Sequence, residues 1–327
     1  MKKRILSGVQ PSGNPHLGNY LGAMKNHIAM QDEYESFIFI ADLHALTTVR
    51  DAKKLHELSL ELAMDYLALG LDPEKTVFFR QSDVADHSEL AWIFNCITPM
   101  GLLERAHAYK DALAKGTKDS TAGLFTYPVL MAADILMYQP DLVPVGKDQK
   151  QHIEIARDIA IKFNETFGET FKLPEPFIPE EVATIVGTDG EHKMSKSYGN
   201  VIEIFADEAA LKKQVMGIKT DSSPVEAPKN PDTSAIYKLY SHFGTQKENK
   251  AFADKFSKGG MGYGDAKKIL LEKILDYFRD SRKKRIELQK DLGYVTEVLK
   301  NGAQKAQKEA RKMMGKVREK TGLSLKN

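Results

Sequence analysis

The chain of 327 residues holds a single cysteine, Cys96. That scarcity excludes a disulfide framework, a thiolate-built zinc site and a four-thiolate iron–sulfur cluster, and it suits a reducing compartment. No apolar run approaches the roughly 18 residues that a membrane helix needs, and mean hydropathy is −0.39. The basic start MKKRILSGVQPSG has the charge of a secretion signal, but Gly8, Gln10 and Pro11 interrupt its apolar stretch. Low-complexity and collagen-like composition is absent too, since 42% hydrophobic and 28% charged residues make an ordinary globular balance. The expectation is a soluble, cytoplasmic protein with no resident metal and no membrane partner. At roughly 150 residues per domain its length suggests about two domains.

Net charge is only +2, yet residues 267–327 carry 18 Lys and Arg against 8 Asp and Glu, so the rest of the chain is net −8. An acidic body with a basic arm is a pattern of nucleic-acid binders. The interspersed Lys/Glu pairs equally suit a solvated helical face.

The first half alternates apolar runs with helical patterns. Residues 4–7, the run FIFIA at 37–41, 77–79 and 142–145 read as strands; 55–69, 91–97, 127–138 and 148–163 read as helices. Pro128 suits a first turn and Asp148 a cap. Such alternation predicts an α/β fold, a doubly wound parallel sheet (Rossmann-like) that binds ligands at the carboxyl ends of its strands. After about residue 200 nothing reads as a strand. Ile269, Leu270, Ile274, Leu275, Tyr277 and Phe278 form one amphipathic stripe ahead of the basic run 282–285. The expected division is therefore an α/β domain over 1–190 and an all-helical C-terminal domain over 191–327.

Two motifs carry chemistry. The first strand-to-helix turn contains Gln10, Pro11, Ser12, His16, Leu17, Gly18 and Asn19. Unpaired N–H groups and the positive helix end attract phosphate there, Gly18 permits close backbone approach, and His16 can donate a hydrogen bond. The second is Lys193-Met194-Ser195-Lys196-Ser197 in a loop opened by GTDG. Two lysines and two hydroxyls suit a triphosphate, although any generic basic loop shares the charge. A third feature is Asp134, which helical spacing places among Tyr127, Met131, Ile135 and Tyr138. A carboxylate buried in an apolar wall needs a donor. That donor is either a structural partner or a substrate N–H such as an indole's.

HLGN and KMSKS together resemble the two signatures of class I aminoacyl-tRNA synthetases, and the segments ADLHALT (41–47), YPVLMAADILMY (127–138) and VPVGKDQKQHIEIARDIA (143–160) resemble the bacterial tryptophanyl members. The resemblance is dense over the first 200 residues. It implies activation of tryptophan by ATP with Mg²⁺, transfer to the terminal adenosine of tRNA, and a homodimer. Lys193, Lys196 and His16 would be catalytic. Gln10, Pro11, Ser12, Gly18, Asn19, Gly146, Lys147, Asp148, Ile185 and the whole pentapeptide would border ATP, with Asp148 at the ribose and the Ile185 backbone at adenine. Asp134 would meet the indole N–H, Met131 the pocket wall, and Tyr127 and Gln149 the amino group. Tyrosyl members resemble this chain less, because they carry a glutamine where Met131 stands. A small-molecule nucleotidyltransferase would not need KMSKS, and an inactive RNA-binding relative would not keep His16, Lys193, Lys196 and Asp134 together. A second lysine found in relatives after the position of Lys110 is missing here, so Lys110 is given no role.

Overall fold

In a computed structural model, residues 2–106, 121–146, 149–177 and 185–324 are described. Five parallel strands form one sheet in the order β3-β2-β1-β4-β5, with β1 at Arg4–Val9, β2 at Glu35–Ile40, β3 at Thr76–Arg80, β4 at Leu142–Pro144 and β5 at Glu175–Phe177. Strand order reverses between β1 and β4, and open α/β sheets bind ligands at such a switch point. The chain leaving β1 is Gln10–Ser12 and that leaving β4 runs to Gly146, so two of the expected nucleotide segments stand there. Strands β2 and β3 are apolar on both faces because helices cover both.

Helices Ala52–Ala68, Asp86–Asn95, Ala122–Tyr138 and Lys150–Phe167 flank the sheet. Each differs in its ends from the sequence reading. The third begins five residues earlier than expected, where the Thr121 hydroxyl accepts from the Leu124 N–H at 3.3 Å. Pro128 therefore sits in the second turn, where it withholds an N–H from the ladder. The proposed cap Asp148, like Lys147, lies outside the described residues. Strand β5 was not expected from sequence: it has three residues and a central proline, and joins β4 with Val143 opposite Pro176.

Packing divides the chain differently from a single cut near 190. One unit comprises Met1–Gly13, Asn26–Glu180 and Asp291–Asn327; the other comprises Asn14–Lys25 and Glu181–Lys290. In the first unit the C-terminal helix Leu292–Thr321 lies on β3 and on helices Asp86–Asn95 and Ala122–Tyr138. Its buried stripe of Val295, Leu299, Gly302, Ala306, Met313 and Val317 explains why. Gly302 comes so close that a Cβ there would stand 1.8 Å from the Phe78 carbonyl oxygen. The Arg318 Nε also donates to Glu89 Oε1 at 2.7 Å. The second unit is built from helices Glu208–Met216, Ala235–Ser241, Gln246–Lys258, Tyr263–Tyr277 and Arg279–Lys290. Leu270, Ile274 and Phe278 of the amphipathic stripe form its buried seam together with Ala266, whereas Ile269 and Leu275 are half-buried and Tyr277 is exposed.

Candidate active site

The two signature motifs both fall in the second unit, and backbone pairing joins them. Lys193 and Met194 enter the KMSKS loop in antiparallel pairing with 185–187, with Met194 N–H donating to the Ile185 carbonyl at 2.8 Å. The exit of the loop returns along the HLGN turn: Leu17 N–H donates to Ile202 O at 2.9 Å and Ile204 N–H to Pro15 O at 3.1 Å. Buried Met194, Ile202 and Ile204 hold this ladder down, while Lys193, Lys196 and Ser197 remain exposed.

His16 caps the short helix that begins at Leu17. Its Nδ1 accepts from the Asn19 N–H at 3.3 Å, and its own N–H donates to the Asn19 carboxamide at 3.1 Å. A ring that accepts at Nδ1 carries its proton at Nε2. Burial, aided by the charges of Lys196 and Lys193, pushes the imidazole down to about 4. His16 is thus a neutral Nε2–H donor near neutral pH. Gly18 suits this arrangement, since a Cβ would lie tightly, 3.0 Å from the His16 ring and 3.3 Å from Met194 Cβ. A π turn at Tyr20–Met24 follows, and Tyr20 hydroxyl pairs with that of Tyr277 at 2.9 Å.

In the first unit, Asp134 is 1% exposed and is not a carboxylate awaiting its first partner. Oδ1 accepts from Gln81 Nε2 at 2.7 Å and His87 Nδ1 at 2.6 Å; Oδ2 accepts from His44 Nε2 at 2.8 Å. His87 Nε2 in turn accepts from the Tyr138 hydroxyl at 2.8 Å. Burial drives the Asp134 carboxyl upward, but the bonds from His44 and His87 outweigh it and hold the group at about 2. A carboxylate offers about four acceptor positions, and three are used here by described residues, the fourth being on Oδ2. His44 and Tyr127 stand 6.2 Å apart edge to face and, with Leu43, Thr47, Trp92 and Leu130, line a cavity of about 240 Å³. Tyr127 hydroxyl pairs with His152 Nε2 at 3.2 Å. Met131 packs, half-buried, against the core rather than lining that cavity, and Gln149 N–H donates to the Gly146 carbonyl at 3.0 Å. Among the described residues no cluster of His, Cys, Asp and Glu has the makings of a metal site.

The basic run is only partly available to an anion. Arg282 donates to the carbonyls of Ile204 and Ala206, the latter at 2.7 Å, and Arg285 is buried beside the Phe205 ring, whereas Lys283 and Lys284 are exposed.

A family model described as class I tRNA synthetases (W and Y) matches residues 1–279. The chain belongs to that family. It is 54% identical to the tryptophan–tRNA ligase of Fusobacterium nucleatum over 98% of each chain. The crystal structure of tryptophanyl-tRNA synthetase from Campylobacter jejuni complexed with ADP and tryptophan is similar at a TM-score of 0.93 and 50% identity, covering 98% of this chain and 99% of that one. The corresponding enzyme of Mycoplasma pneumoniae gives 0.82 and 31%, covering 99% of each.

Within this family fold, sequence reasoning missed four polar residues. Gln81 and His87 were invisible because they lie 53 and 47 residues from Asp134. His44 stood inside the quoted ADLHALT segment, and its pairing follows only from the sheet order. Asn200, next to KMSKS, is 2% exposed and binds three groups of the loop. An asparagine set between Gly199 and an apolar pair, directly after the basic loop, was the available signal.

Proposed function

We infer that this chain is a tryptophan–tRNA ligase. It activates tryptophan with ATP and esterifies the terminal adenosine of tRNA. The observation that carries the reading is the pairing of the HLGN turn with the KMSKS loop, with neutral His16 in the field of two lysines, in a chain more than half identical to a ligase of that name along its length.

In the first step a tryptophan carboxylate oxygen bonds to the α-phosphorus of ATP while the bond to the bridging oxygen breaks, releasing pyrophosphate and leaving tryptophanyl-adenylate. Negative charge moves onto the leaving group, and Lys193 and Lys196 are the cations in this chain suited to receive it, with Mg²⁺ accompanying the nucleotide. His16 adds an uncharged Nε2–H donor that keeps its state across the working pH range. Orientation does the remaining work, and no protein nucleophile is needed. In the second step the 2′-hydroxyl of the tRNA terminus attacks the carbonyl and AMP leaves.

For the amino acid, the fourth acceptor position of Asp134 suits the single indole donor, and Met131, packed against the core, backs the pocket from behind rather than forming its wall. Three protein donors already compensate the carboxylate, so rejection of phenylalanine rests on one lost bond rather than on an unpaired charge. The ATP contacts are assigned to the β1 and β4 exits, including Lys147 and Asp148, together with Ile185. Exposed Lys305, Lys308, Arg311 and Lys316 on the C-terminal helix make the proposed tRNA footprint. The homodimer and the cytoplasmic location follow from the family resemblance; Trp92, 70% exposed, and Met100, 62% exposed, are apolar side chains that a partner subunit would cover. Tryptophan-dependent exchange of pyrophosphate into ATP tests the first step, and charging of tRNA the second.

A further inference from the structure

Asn200 lies outside the pentapeptide, yet it binds the loop at both of the residues flanking Met194. Its Oδ1 accepts from the Ser195 N–H at 2.7 Å. Its Nδ2 donates to the Lys193 carbonyl at 3.2 Å and to Asp189 Oδ2 at 2.9 Å. Its backbone carbonyl accepts from Thr188 N–H at 2.9 Å. Asp189 is the second half of the device, because its Oδ1 also accepts from the Glu191 and His192 N–H groups, each at 3.1 Å. Space for the carboxamide exists only because residue 187 is glycine: a Cβ there would stand 2.1 Å from Asn200 Nδ2.

A buried amide that satisfies three partners in fixed directions over-determines the backbone it touches. Here that backbone is Lys193 to Ser195, and the bracket ends before the 3₁₀ turn Lys196–Tyr198. The bracket thereby fixes the root of the loop that carries Lys193. Catalysis by placed charge is sensitive to displacements near 1 Å.

We propose that Asn200 and Asp189 are positioning residues that set the Lys193 end of the KMSKS loop for the adenylation step. The proposal rests on the ligase reading, so exchange by the unaltered protein is measured first; its absence overturns that reading and says nothing of Asn200. The test uses Asn200→Asp, Asp189→Asn and the two combined. Asn200→Asp sets two carboxylates against each other, and Asp189→Asn sets two amide donors against each other. The double variant restores one donor and one acceptor across the pair. It keeps a carboxylate oxygen in place of Asn200 Oδ1 to accept from the Ser195 N–H, but it loses the bond to the Lys193 carbonyl and replaces the Asp189 oxygen that pairs with His192 Nδ1 at 3.1 Å, which is why recovery is partial. The expected result is a fall in the single-turnover adenylation rate of about tenfold or more in each single variant, partial recovery in the double, and unchanged tryptophan affinity. Gly187→Ala, which displaces the amide without removing a polar group, should lower the same rate. Wild-type rates in the single variants, a double no faster than the slower single, or a parallel loss of tryptophan binding and melting temperature would each overturn the proposal, the last by showing a merely structural pair. Should Asn200→Asp fail to fold, Gly187→Ala and Asp189→Asn carry the same comparison.

Discussion

Asp134→Asn separates the structural and the recognition roles of one buried group. The carboxamide oxygen can keep the Oδ1 position, where Gln81 and His87 both donate at 2.7 and 2.6 Å. Its NH₂ then occupies the Oδ2 position and faces His44 Nε2, which must move its proton to Nδ1 to become an acceptor. The fold therefore keeps its three contacts but exchanges charge-assisted bonds for neutral ones, at a cost of about 1–3 kcal/mol. The substrate side has no such remedy, because an indole N–H would meet an amide donor. A hydrogen bond to a charged acceptor contributes about 1.5–3 kcal/mol, so KM for tryptophan should rise roughly 10- to 150-fold. The assay is tryptophan-dependent pyrophosphate exchange, run beside a chemical denaturation curve. An unchanged KM together with the full loss of stability would refute the recognition role and leave Asp134 as a structural anchor of the 42–44 and 81–87 segments. Unchanged stability would refute the network itself.

Lys196→Ala should lower the adenylation rate at least tenfold with a smaller effect on tryptophan affinity, measured by single-turnover adenylate formation. Gly302→Ala should destabilise the protein, because overpacking against the Phe78 carbonyl, about 1–3 kcal/mol, outweighs the helix gain of at most about 1 kcal/mol; a melting temperature at or above that of the parent would contradict the close contact. His16 and fully buried His27 are both pushed down to about 4, from the ordinary 6.5 that the unfolded chain keeps. The unfolded chain therefore binds more protons between those values, so stability should be full above pH 6.5 and fall as pH drops toward 4; urea midpoints at pH 7 and pH 5 check the sign. Affinity for tRNA should fall linearly in log–log with salt, and Lys308→Ala with Arg311→Ala should reduce the slope by about one to two.

Four strands and the parallel architecture were legible because buried runs such as FIFIA have few other uses. The strand at Glu175–Phe177 was not, since three residues around a proline carry no periodicity. The C-terminal helix showed its basic face in sequence, but charge on one face does not name the surface that the other covers. Here small residues such as Gly302 and Ala306 fit it to β3 of the first unit. The same limit applies to the site. HLGN and KMSKS are local strings and could be read directly. The partners of Asp134 come from three separate segments brought together by sheet order, and the bracket around Lys193 depends on a fold-back of the loop. Arg282 and Arg285 show the converse: two of the four cations in the basic run 282–285 are spent on carbonyls and packing inside their own unit.

The measurement that bears most directly on the account is amino-acid-dependent ATP–pyrophosphate exchange by the purified protein, with tryptophan, tyrosine and phenylalanine in parallel. Exchange with tryptophan alone is the predicted result. Exchange driven by tyrosine would keep the fold and contradict the reading of Asp134 and Met131; no exchange with any of the three, while tRNA still binds, would contradict the assignment of His16, Lys193 and Lys196.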